Sequence, residues 1–246
     1  MAEQFQHVQT LEPLFTCGIV CSPERVPLAL RLKGKIPHAV IHIDTGRKGS
    51  WHTHREAMLN CTLNETHHVV LEEDTDVCAN FIATVNAIIK AQPNKIISLF
   101  NFRSMRKGND IANKQGRHFF TRDGSTGQGI IFPVKLMKEW ISWSDSRIPA
   151  NVPYEDTRLY AYLKSTRQVL WICVPNIVEH LLPSASLIDS KLNNKNRVSP
   201  DFIGTDVSGT EIDWSENIER VPTRAELKTN HNEFFQKWMG KAPPFS

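Results

Sequence analysis

The chain is 246 residues long, 40% hydrophobic and 22% charged, the proportions of an ordinary globular protein with ample length for a core. Its 29 Lys and Arg against 26 Asp and Glu leave a formal charge of +3. That excludes a general polycation and confines any nucleic-acid contact to a local patch.

Five cysteines (Cys17, Cys21, Cys61, Cys78, Cys173) form no C-x-x-C pair, and several lie in or beside apolar runs. Cys17, Cys21 and Cys173 read as buried thiols of a reducing compartment. No apolar run approaches the ~20 residues of a membrane span, and the start Met1-Ala2-Glu3-Gln4 lacks the features of a secretory leader. A cytoplasmic protein without membrane contact is expected.

Phe15 to Cys21 is a β-rich run, and Ser22-Pro23-Glu24-Arg25 follows as a cap with proline at the first helical position. Leu28 and Leu32 continue an apolar helical face. Ala39 to Ile43 is a second strand ending at Asp44, and a helix is expected from Trp51 to Leu63. Val69-Val70-Leu71 then forms a strand apolar on both faces, which stops at Glu72-Glu73-Asp74-Thr75-Asp76. Phe81, Val85, Ile88 and Ile89 recur at helical spacing, and Ile96 to Phe100 reads as a fourth strand. This alternation argues for βαβ units and a mostly parallel sheet.

The second half is less regular. Residues 101–116 are basic and polar and read as a long loop. Gly127 to Pro133 is a short strand, Val134 to Trp143 a helix, Pro153 to Thr166 another helix, and Val169 to Cys173 a strand. Residues 181–212 are rich in Ser, Asn and Lys and read as a loop or lid. Thr223-Arg224-Ala225-Glu226 is a capping box for a terminal helix. The expected organisation is a catalytic domain over residues 1–205 and an extension over 206–246 packed on it.

Open α/β sheets bind ligands at the carboxyl ends of their strands, where Glu72, Glu73 and Asp74 fall. Crowded carboxylates repel unless a cation sits between them, and Mg2+ or Mn2+ would bridge them to a phosphate. Asp76 can cap a helix beginning at Val77, or serve as a lesser ligand. Asp44 suits a ribose hydroxyl or forms a turn before Thr45-Gly46. Glu155 and Asp156 suit the first turn of a helix through its dipole, or act as a general base. His180, at the end of Ile177-Val178, is either simply hydrogen-bonded or a third ligand. His52-x-His54 and His67-His68 raise a zinc site, but spacing of two on a helix faces the rings apart. Phosphate-cradling and nucleophile-elbow motifs do not occur.

In order, Ser22-Pro23-Glu24-Arg25, Asp44, Leu71-Glu72-Glu73-Asp74, Gly127-Gln128-Gly129, Glu155-Asp156 and Pro175 to His180 resemble a GT-A glycosyltransferase. The likeness is to small bacteriophage-encoded members and covers roughly residues 14–205. The pattern hhh-Glu-x-Asp is similar to their D-x-D signature, with Glu72 in place of the first Asp. The resemblance implies a GT-A-like, Rossmann-like mostly parallel sheet with helices on both faces and a C-terminal helical appendage. It implies a UDP-sugar donor with Mn2+ or Mg2+, and metal ligands Glu72, Asp74 and His180. Donor contacts are expected at Ser22, Arg25, Asp44, Glu73, Asp74, Gln128 and Arg197, and an acceptor base at Glu155 or Asp156.

Similar phage enzymes glycosylate 5-hydroxymethylated pyrimidines such as hydroxymethylcytosine in DNA, within the host cytoplasm. Arg103 to Lys107 with Arg117, His118 and Arg122 would then contact phosphates, and Trp51 or Phe102 would stack on a base. A polysaccharide or protein acceptor, a nucleotidyltransferase or nuclease, and a non-catalytic nucleotide-sugar-like binding module are the alternatives.

Overall fold

The computed structural model describes residues 14–61, 66–122, 124, 127–181 and 197–215. In chain order the strands are β1 (Phe15–Cys21), β2 (Val40–Ile43), β3 (His67–Glu72), β4 (Thr75–Val77), β5 (Ile97–Ser98), β6 (Phe119–Arg122), β7 (Gly129–Pro133), β8 (Leu170–Cys173) and β9 (Val178–His180). The helices are α1 (Val26–Lys35), α2 (Ser50–Leu59), α3 (Phe81–Ala91), α4 (Lys107–Lys114), α5 (Val134–Arg147) and α6 (Glu155–Thr166).

Seven strands form one sheet in the order β2-β1-β3-β7-β5-β8-β6. β1 runs parallel to β2 and β3, and β5 parallel to β8, while β7 and β6 run against their neighbours. The sheet is therefore mixed but mostly parallel, as the alternation of strands and helices requires. Residue alternation along the strands divides the core into two layers. Phe15, Cys17, Ile19, Val69 and Leu71 pack with Leu32 of α1 and Phe81, Val85 and Ile88 of α3. Val20, Val70 and Phe132 pack on the other face with Met58 of α2, Trp140 of α5 and Leu163 of α6.

Because β1 lies between β2 and β3, the chain leaves it first toward one edge and then toward the other. Such a reversal opens a crevice at the strands' carboxyl ends. Val20 and Glu72 are register partners there, and Glu73 N–H donates to Val20 O at 3.1 Å.

Several expectations are corrected. Residues 101–116 are not a loop throughout: a 3-10 turn at Arg103–Met105 leads into α4. Its buried face is Gly108, Asn109 and Ala112 rather than large apolar residues, so no hydrophobic stripe announces it. Asn109 accepts from Asn101 and donates to Asp201, both at 2.7 Å, while the Phe120 ring lies where a Cβ on Gly108 would stand.

Asp76 does not cap a helix at Val77. Thr75–Val77 pairs antiparallel with Val178–His180, a long-range contact that local spacing cannot reveal, and the helix begins only at Phe81. The helix expected from Trp51 runs from Ser50 and ends at Leu59. Residues 197–215 lie against the domain without helix or strand, and Trp214 is buried beside Phe119, with Gln92 donating to its carbonyl at 3.2 Å. The expected terminal helix after Thr223, and residues 182–196 of the expected lid, lie outside the described residues.

Candidate metal and anion site

The end of β3 is shaped by a tight turn. Thr75 Oγ1 donates to Glu72 O at 2.7 Å, which folds Glu73 and Asp74 back toward β1. Pairing of β4 with β9 extends to Asp74, whose carbonyl accepts from Leu181 N at 2.8 Å. This brings His180 beside Asp74 although the two are far apart in sequence. His180 Nε2 lies 3.1 Å from Asp74 Oδ2, within ion-pair reach but off hydrogen-bond geometry. Asp74 Oδ1 and both His180 ring nitrogens are buried without a hydrogen-bond partner among the described residues.

Arg25, in the 3-10 turn after β1, donates to Asp74 Oδ2 at 2.6 Å and to Glu73 Oε1 at 3.4 Å. Ser22 Oγ reaches Glu73 Oε1 at 3.5 Å. Asp74 is 1% exposed. Burial pushes its carboxyl upward, but the His180 contact and the charges of Arg25 and Arg197 outweigh that and hold it below its ordinary value.

Glu72 is held by Gln128, whose Nε2 donates to Oε2 at 2.9 Å and whose carbonyl accepts from Glu72 N at 3.3 Å. Burial, then the charges of Asp74, Glu155 and Glu73, push the Glu72 carboxyl well above the usual carboxylate range, and Arg197 offsets part of this.

Glu155 enters the same cluster from the first turn of α6. Its Oε2 accepts a short hydrogen bond from Ser50 Oγ and lies 3.9 Å from His54 Nδ1. The α2 and α6 ends are tied together by Trp51 N–H donating to Pro153 O at 2.6 Å. Gly127 lies against both carboxylates: a Cβ there would stand 2.3 Å from Glu155 Oε1 and 2.7 Å from Glu72 Oε1. His54, Glu72 and Glu155 each present one donor atom within 4.8 Å of the others, a set that could hold a metal ion.

Asp156 does not share that orientation. It accepts from Thr157 N at 2.5 Å and Thr157 Oγ1 at 3.2 Å, and burial with the Glu155 charge pushes its carboxyl up to about 7. Asp44 forms the turn weighed for it, accepting from Lys48 N at 2.8 Å and Gly49 N at 2.9 Å. Asp76 faces α1, pairing with Arg31 at 3.0 Å and Lys35 at 2.5 Å.

The structure thus gathers Ser22, Arg25, Glu72, Glu73, Asp74, Gln128, Glu155 and His180, with the Arg197 charge beside them. Ser50, His54 and Gly127 are the members that sequence reasoning missed. The two-residue spacing of His52 and His54 spoke against a joint site, yet His54 lies among the carboxylates. Trp51 is buried, packed on Trp140 and under the Arg158 guanidinium, so it is no stacking platform. Arg122 is buried and donates to Asn101 Oδ1 at 2.8 Å, so it is no phosphate contact. Phe102 packs edge-on against Phe100, while Arg103, Arg106 and Lys107 are exposed.

No protein-family model matches this sequence, and no functionally curated protein is significantly similar to it. No helix among the described residues is long and apolar enough to cross a membrane.

Proposed function

We propose that this protein is a metal-dependent glycosyltransferase of GT-A-like fold, moving a sugar from a nucleotide-sugar, preferentially a UDP-sugar, to a hydroxyl acceptor. The observation that carries this reading is the meeting of Asp74, His180 and Arg25 beside Glu72 at the carboxyl ends of β1 and β3. Anionic ligands and a fixed cation side by side suit a metal-bound diphosphate at a strand-end crevice.

The unpartnered Asp74 Oδ1 and His180 nitrogens fit a cation, since buried polar atoms without partners each cost about 1–3 kcal/mol. Asp74 and His180 would hold Mn2+ or Mg2+, which when bound would offset charge on the leaving diphosphate; among the described residues the Glu72 donor groups with His54 and Glu155 instead. Arg25 and Arg197 supply positive charge to phosphate oxygens. Ser22 and Glu73 support Arg25, and Gln128 fixes the Glu72 carboxylate. The acceptor oxygen forms the new bond to the sugar's anomeric carbon as the bond to the diphosphate breaks. Its proton passes to the Glu155–Asp156 pair.

For the acceptor we favour a 5-hydroxymethylated pyrimidine in phage DNA, which places the reaction in a host cytoplasm. Exposed Arg103, Arg106 and Lys107 support this, because Arg103 N–H donates to Val198 O at 2.8 Å, one residue from Arg197.

Thermal unfolding with UDP, with Mn2+ and with both tests the donor site. The expected result is a stabilisation by UDP that requires Mn2+ and is lost in Asp74→Asn. No shift with UDP, GDP or CDP in the presence of metal would remove the reading.

A further inference from the structure

We propose that His54, Glu72 and Glu155 form a site for a first-row divalent transition metal, distinct in its ligands from the Asp74–His180 pair and occupied without nucleotide. The proposal does not depend on glycosyl transfer. It rests on four observations.

The first is convergence from three separate segments: α2 supplies His54, the end of β3 supplies Glu72, and the start of α6 supplies Glu155. Donors bound to one ion at ~2.1 Å lie no more than ~4.2 Å apart. The three donor atoms lie within 4.8 Å of one another, close to that bound.

The second is the state of the imidazole. His54 is 5% exposed, and its Nδ1 lies 2.9 Å from Ser50 O. A carbonyl only accepts, so Nδ1 carries the hydrogen and Nε2 keeps its lone pair. Nε2 is buried with no hydrogen-bond partner among the described residues. A ring held through one nitrogen by a backbone carbonyl leaves the other able to bind a metal. The nitrogen nearest Glu155 is Nδ1, 3.9 Å from Oε2.

Third, each ligand has an outer partner that orients it. Ser50 O holds His54, Ser50 Oγ donates to Glu155 Oε2, and Gln128 Nε2 donates to Glu72 Oε2. Metal sites depend on such second contacts nearly as much as on the ligands. Gln128 Oε1 is itself buried and unpartnered among the described residues.

Fourth, Gly127 leaves room for both carboxylates, since a Cβ there would clash with Glu155 Oε1 and Glu72 Oε1 alike.

One imidazole with two carboxylates selects among Mn2+, Fe2+, Co2+ and Zn2+ over Mg2+ and Ca2+, which prefer all-oxygen shells. Glu155 then acts as a ligand of this ion.

The test uses the full chain and metal alone. Mn2+ is titrated by isothermal calorimetry, and pulsed electron paramagnetic resonance reads nitrogen coupling to the bound ion. The expected result is one Mn2+ with nitrogen coupling in the wild type. His54→Ala and Glu155→Gln should weaken binding about 10–100-fold. The coupling should vanish in His54→Ala and persist in His180→Ala. Loss of coupling in His180→Ala with retention in His54→Ala would overturn the assignment while leaving the donor-site reading intact. Absence of Mn2+, Co2+ and Zn2+ binding to wild-type protein would overturn it as well. The wild-type spectrum needs no variant to fold, and circular dichroism checks the variants.

Discussion

Replacing Gly127 with alanine should part Glu72 from Glu155 while leaving the protein folded. The new Cβ would stand 2.3 Å from Glu155 Oε1 and 2.7 Å from Glu72 Oε1, against ordinary contact beginning at 3.4 Å. The two oxygens must therefore retreat from the methyl group by roughly 1.1 Å and 0.7 Å. Both are the ends of flexible side chains, and Gly127 is not in the left-handed region, so the backbone accepts alanine. Displacing a carboxylate from its rotamer costs about 0.5–1.5 kcal/mol. The stiffer unfolded chain returns about 0.4–1 kcal/mol. Net stability in a urea titration should thus change by no more than about 1 kcal/mol. Metal binding should fall about 10–100-fold, or about 1.4–2.7 kcal/mol, because a three-ligand set opened by more than 1 Å no longer closes on one ion. Calorimetric Mn2+ titration of folded Gly127→Ala protein decides the matter. Wild-type affinity in this variant would refute the reasoning, as would unfolding, which would show that the glycine serves the fold instead.

Two further outcomes follow from the charge map. His68 is 2% exposed, and burial, assisted by the nearby His42 charge, pushes its imidazole from 6.5 down to about 3. A depressed imidazole costs nothing above pH 6.5 and destabilises as pH falls from there toward 3, because the unfolded chain binds the proton first. By pH 4.5 the loss is about 2–3 kcal/mol. His68→Gln, which keeps a polar partner for Thr16 Oγ1 at 2.7 Å in the wild type, should flatten the stability profile between pH 7 and 4.5 by that amount. Unchanged steepness would count against a buried neutral His68. Asp76→Ala should cost only about 0.5–1.5 kcal/mol in urea denaturation, since its partners Arg31 and Lys35 are 38% and 39% exposed. Its UDP and Mn2+ responses should match the wild type; their loss would return Asp76 to the binding site.

The elements that the sequence made legible are those whose burial is written in local period. Phe15–Cys21 is a strand over the full length its apolar run suggests, and Phe81, Val85 and Ile88 all face the core of α3 as their spacing requires. The position of Glu72 and Asp74 just beyond a doubly buried strand was legible for the same reason: three apolar residues in succession demand cover on both faces. α4 was not, because Gly, Asn and Ala bury a helix face without hydrophobic contrast.

Sequence alone therefore determined the α/β class, the mostly parallel core and the strand end that carries the acids. Tertiary structure alone decided which acids meet. Pairing of β4 with β9 turned Asp76 toward α1 and set His180 against Asp74, and docking of α2 against α6 brought His54 to Glu155. Periodicity records whether a side chain is buried, since that depends on its own segment. Which side chain it is buried against depends on chain closure across many tens of residues, and no local pattern encodes that.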